Sequence, residues 1–68
     1  MSLESQIKAY DAISAYARLH FPEDHQVVVG FRSNTKAEIQ DHTCGIVVAV
    51  EYDPKTDSVR EVGESRIE

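Results

Sequence analysis

Three histidines and one cysteine, His20, His25, His42 and Cys44, are the side chains of this 68-residue chain best suited to hold a metal or attack a substrate. His42-x-Cys44 sets an imidazole and a thiol two residues apart, and residues i and i+2 of a strand share a face. With His25 at the head of a neighbouring strand, the pair raises a metal- or thiol-dependent site at His42 and Cys44 as an alternative reading. Strong zinc sites combine paired ligands such as C-x2-C and H-x3-5-H, and one cysteine cannot supply the first. His20 and His25 are parted by a helix end and Pro22, so no helix face unites them. A cysteine opening an apolar stretch is more often a small buried hydrophobe with an inert thiol. The expectation is no metal, no cofactor and no catalysis.

Carboxylates are the other abundant chemistry. Glu51 and Asp53 stand at i and i+2 before the turn Asp53-Pro54-Lys55-Thr56-Asp57. A calcium loop needs D-x-D-x-D-G and a closing glutamate, and this turn lacks both the glycine and the glutamate. The net charge of −5 is informative by its placement: residues 1–37 balance to zero and residues 38–68 carry all of it. On adjacent hairpin strands, Glu51, Asp53, Asp57, Glu61 and Glu64 would form a continuous negative patch that steers toward basic surfaces. The same charge disfavours direct binding to nucleic acid or an anionic membrane. Acidic surfaces also serve solubility alone.

The elements that must position these groups centre on Cys44 to Tyr52, C-G-I-V-V-A-V-E-Y, the longest apolar run. It is rich in β-branched residues and too short to cross a bilayer as a helix. As a strand it sets Ile46, Val48 and Val50 on one face, with Val47 and Ala49 on the other. Apolar faces on both sides mark a central strand. Ser2 to about His20 reads as a helix capped by Ser2, with Glu4 and Lys8 in the favourable i, i+4 order. Leu3, Ile7, Tyr10, Ala17 and Phe21 share one sector, with Ile13 at its flank. Ala12, Tyr16 and Leu19 form a second apolar sector that either covers the sheet edge or meets a partner. Phe21-Pro22 ends the helix.

Gln26 to Arg32 is a strand in which Gly30 suggests a bulge or a close neighbouring backbone. Ser33 to Lys36 supplies turn residues, and Ala37 to His42 is a short edge strand or a loop. Ser58 to Gly63 fits a hairpin strand better than a helical turn, with Val59 and Glu61 toward the core, Arg60 and Val62 away from it, and room for a bulge; residues 64–68 form a frayed tail.

The fold class is therefore α+β: a single domain over residues 1–68, one N-terminal helix packed on a three- to four-stranded antiparallel sheet in α-β-β-β order. The turn Tyr52-Asp53-Pro54-Lys55-Thr56 and this order resemble small one-helix, three-strand modules such as PepSY-type domains. That likeness implies no function. So short a chain has about 3–5 kcal/mol of core stability, too little for a strained, prebuilt active site. Absence of a basic, apolar leader and a lone cysteine suit a reducing cytoplasm. The reading is a non-catalytic interaction module that engages a larger protein with a basic surface, as small phage-encoded inhibitors of host defence enzymes occupy nucleic-acid-binding sites. Glu51, Tyr52, Asp53, Asp57 and Glu61 are the expected contacts, with Tyr16 and Leu19 as apolar contacts. A structural or regulatory homodimer is the alternative.

Overall fold

The computed structural model describes residues 3–67, with side chains over residues 7–67. The expected Ser2 cap, the side chains of Leu3 and Glu4, and Glu68 lie outside the described residues. Helix α1 (Leu3–His20) is followed by β1 (Val27–Phe31), β2 (Lys36–Asp41), β3 (Ile46–Asp53) and β4 (Ser58–Arg66). The strands form one antiparallel meander in the order β1-β2-β3-β4, with α1 laid across one face. The order is thus α-β-β-β-β. The segment read as strand or loop is β2, whose Ala37 and Ile39 point inward by simple alternation.

The helix stops where Pro22 forbids its continuation, and the Phe21 N–H closes the last turn on the Ala17 carbonyl at 3.0 Å. Its buried stripe is Ala9, Ile13 and Ala17, at i, i+4 and i+8, flanked by the partly buried Ala12 and Tyr16. This differs from the sector of large residues expected from the sequence, since Ile7 and Tyr10 are exposed. The reason is steric. Small alanines let the helix axis approach the sheet, and Ile13 fills the space between them, so the close-packed stripe is centred on small residues. Tyr10 instead stacks on Phe31 at the rim, 5.6 Å between ring centroids. Tyr16 does pack on the core from the helix flank, whereas Leu19 is 84% exposed and covers nothing.

Val48, Val50 and Tyr52 of β3 complete the core with Ala37 and Ile39 of β2. β3 is central to the core and lies between β2 and β4, as its composition requires. Its other face, with Val47 and Ala49 half-buried, carries no second layer among the described residues. Gly30 lies on that open face opposite Glu38, in regular register and with nothing within 4 Å of where a Cβ would stand. Neither the bulge nor the close backbone expected at Gly30 occurs. On an uncovered face the missing side chain leaves no packing defect.

The C-terminal segment is a strand, and its pairing runs through Arg66 opposite Ile46, so the expected fraying at Glu64 to Arg66 does not occur. A shift of register between Ala49 and Val50 leaves Val62 as the extra residue of a β-bulge. Beyond the bulge, Glu64 pairs with Val48; before it, Glu61 pairs with Val50. Directly paired residues share a face, so both carboxylates emerge on the helix side of the sheet.

Candidate functional site

Asp41 is the last residue of β2, in register with Val27 on one side and Ile46 on the other. Its side chain is 1% exposed, which a carboxylate tolerates only when well partnered. The partners are local and distant. Oδ1 accepts from the backbone N–H of Thr43 at 2.9 Å and of Cys44 at 3.2 Å, the Asx geometry that shapes the β2–β3 turn. Gly45 completes that turn at a φ of 75°, donating its N–H to the Asp41 carbonyl at 2.8 Å. Oδ2 meets His25 Nδ1 at 2.6 Å. Two further bonds tie the same segments: Gln26 N–H donates to Thr43 Oγ1, and His42 N–H donates to the Gln26 carbonyl, each at 2.8 Å.

Cys44 stands beside this pair, with Sγ 3.5 Å from His25 Nδ1. The three side chains open on a cleft of about 400 Å³ that Phe21, Pro22, Glu61 and Glu64 also line. Burial pushes the Asp41 carboxyl up, but hydrogen bonds from His25 and from Cys44 and Thr43 outweigh it and hold the group below its ordinary value. Desolvation, then the hydrogen bond and charge of Asp41, push the Cys44 thiol above its ordinary value. A nucleophilic cysteine needs the opposite shift. The geometry is also unlike a thiol–imidazole–carboxylate relay, which places acid and nucleophile on opposite ring nitrogens. Here both converge on Nδ1.

The sequence paired Cys44 with His42. The structure pairs it with His25 and Asp41, while the exposed His42 ring turns to Gln40 Oε1 at 3.1 Å. Cys44 lies in the turn ahead of β3 and is a free, exposed thiol rather than a buried strand residue. His25 was expected beside Cys44, but Asp41, which holds its ring, was missed. The string D-H-T-C-G carries an Asx-turn signal that marks Asp41, but nothing local signals that a loop histidine sixteen residues earlier reaches it.

The expected acidic residues do not form one patch. Glu51 faces away from the helix, where Arg60 binds it at 2.9 Å and Lys36 lies at 4.0 Å. Tyr52, expected as a contact, is 3% exposed: it belongs to the core, and its hydroxyl donates to Asp57 Oδ1 at 2.6 Å. Asp53 accepts the Lys55 N–H at 2.9 Å and organises the β3–β4 turn. Asp57 sits in that turn at a φ of 53°, a left-handed conformation that aspartate tolerates better than most residues.

Other expected residues do come together. A shallow groove of about 530 Å³ runs between α1 and the edge strand β4. Tyr16, Leu19 and Val59 give it an apolar floor and wall, and Lys8, Asp11 and Asp57 stand at its borders. Further along the helix side of β4, Glu61 and Glu64 are exposed, and neither makes an ion pair among the described residues. No helix among the described residues is long and apolar enough to cross a membrane. Compared with protein-family models, curated proteins and solved structures, the chain matches none.

Proposed function

We propose that this chain is a non-catalytic interaction module whose α1–β4 groove docks on a basic surface of a larger protein. The observation that supports this is the juxtaposition of Tyr16, Leu19 and Val59 with Asp57. Further along β4 stand the exposed carboxylates Glu61 and Glu64, without an ion pair among the described residues. An apolar centre with a charged rim is the usual anatomy of a protein interface. The rim charge steers approach, and the exposed Leu19 side chain gains most by being covered. Nucleic-acid-binding enzymes present basic clefts of this complementary kind, so the mode of action is an inhibitor occupying such a cleft, in the manner of phage-encoded anti-defence proteins. A reducing cytoplasm is the setting that suits a free, exposed Cys44.

The reading is tested by partner binding measured for Glu61→Lys/Glu64→Lys across a salt series. Binding that weakens with salt in the wild type and is lost at low salt in the variant supports it. Equal affinity and equal salt slope remove the carboxylates from the account.

A homodimer is the second reading, favoured by the 84% exposure of Leu19. Solution molar mass of the wild type and of Leu19→Asp separates the two, since only a dimer built on this groove dissociates on that substitution.

A further inference from the structure

We infer that His25, Asp41 and Cys44 together form a binding site for one divalent transition metal ion of the zinc type. One ligand atom from each, Nδ1, a carboxylate oxygen and Sγ, lies within 4.8 Å of the other two. Zinc holds nitrogen and oxygen ligands at about 2.0–2.2 Å and thiolate at about 2.3 Å, which places tetrahedral nitrogen and sulfur neighbours about 3.5 Å apart. The observed Cys44 Sγ to His25 Nδ1 distance is 3.5 Å. The shorter 2.6 Å approach of Nδ1 to Asp41 Oδ2 is a hydrogen bond whose proton the metal would replace, the two atoms opening by less than about 1 Å.

The carboxylate is already aimed. Its Oδ1 is fixed by the N–H groups of Thr43 and Cys44, the kind of outer-shell hydrogen bond that orients metal ligands. A donor set of one imidazole, one carboxylate and one thiolate is too soft for magnesium or calcium, which take oxygen, and suits zinc or cobalt. Glu61 and Glu64 line the same cleft and supply negative charge near a fourth position, which one of them or a water would fill. The three ligands come from the α1–β1 connection, the end of β2 and the β2–β3 turn. One ion therefore cross-links three segments of a domain whose core alone is small. None of the three ligands is a docking residue, and only a fourth ligand from Glu61 or Glu64 would be shared with the docking reading. Variants of Cys44, His25 and His42 leave every docking residue unaltered, so the two readings fail separately.

Cobalt(II) titration of the reduced, chelator-stripped chain tests it directly. The expected result is one equivalent bound, with a thiolate-to-cobalt charge-transfer band, and zinc displacing it. Losing an outer-shell partner alone weakens metal binding about 10–100-fold, so Cys44→Ala and His25→Ala should each weaken zinc at least about tenfold. Cys44→Ala should also abolish the band, and zinc should raise the melting temperature of the wild type but not of this variant. His42→Ala, which alters only an exposed ring, should behave as the wild type. Four outcomes overturn the site: no charge-transfer band in the wild type, undiminished zinc affinity in Cys44→Ala, an equal loss in His42→Ala, or saturation at half an equivalent, which marks a metal bridging two chains.

Discussion

The His25 ring and the Asp41 carboxylate, sixteen residues apart, meet at 2.6 Å and join the α1–β1 connection to the end of β2. This pairing makes Asp41 a hub. One buried carboxylate shapes the β2–β3 turn through backbone N–H groups and holds a separate loop through an imidazole.

Acid should release that hub. Hydrogen bonding holds the folded-state value of Asp41 below its ordinary 3.8, so the unfolded chain takes up the proton first as pH falls. The stabilisation is complete above the ordinary value and is lost as pH drops through the folded-state value. Urea midpoints measured from neutral pH down to the acid limit should fall more steeply for the wild type than for Asp41→Asn. Parallel profiles would show that Asp41 contributes nothing to acid unfolding.

Cys44 is exposed, yet its thiol is held above the ordinary value by desolvation and by Asp41. Less thiolate is present at a given pH, so alkylation should be slower than for an unhindered thiol. With a chelator present, the iodoacetamide rate at mildly alkaline pH should lie below that of a free cysteine peptide, and Asp41→Asn should raise it. A wild-type rate above the peptide's would contradict the geometry.

Tyr52 gives the alkaline counterpart. The hydrogen bond to Asp57, then burial, raise its phenol above the ordinary 10.0. The stability linked to this group is present below that value and is lost as pH rises through the folded-state one. Phenolate absorbance of the folded chain should show Tyr52 titrating above the ordinary value, Asp57→Asn should bring it earlier, and an unchanged profile in that variant would contradict the pairing.

Core and surface positions should separate cleanly in stability. Ile39 is fully buried beneath α1, and Ile39→Ala should cost about 2–5 kcal/mol, comparable to the whole stability of about 3–5 kcal/mol expected for so small a domain. Leu19→Asp, at an exposed position, should change stability by no more than about 0.5 kcal/mol. Chemical denaturation of the two variants measures both. A large loss for Leu19→Asp in a monomer would mean that Leu19 supports the fold.

Much of the fold is legible in the residues. The apolar run Ile46 to Val50 can only be an inner strand, Pro22 stops the helix, and the Asp53-Pro54 turn forces a hairpin. The helix face was less legible, because periodicity gives weight to Ile7 and Tyr10 while close packing selects Ala9 and Ala17. Of the candidate site, Tyr16, Leu19 and Asp57 were readable as an apolar sector and an acidic turn, and the structure brings them to one groove. The His25–Asp41 pairing was not readable. It depends on where a non-regular loop crosses the end of a strand, and no local pattern encodes that. Tyr52 misled because an aromatic beside a turn looks exposed until the register places it beside Val59, under the helix.

In the proposed function the α1–β4 groove, with Glu61 and Glu64, docks on a basic protein. The most direct measurement is a quantitative pull-down from the native lysate, with chelator present, comparing the wild type with Glu61→Lys/Glu64→Lys at low and high salt. A stoichiometric partner with a basic surface should be retained by the wild type at low salt, released at high salt, and never retained by the variant. The same proteins captured by both chains, at either salt, would contradict it.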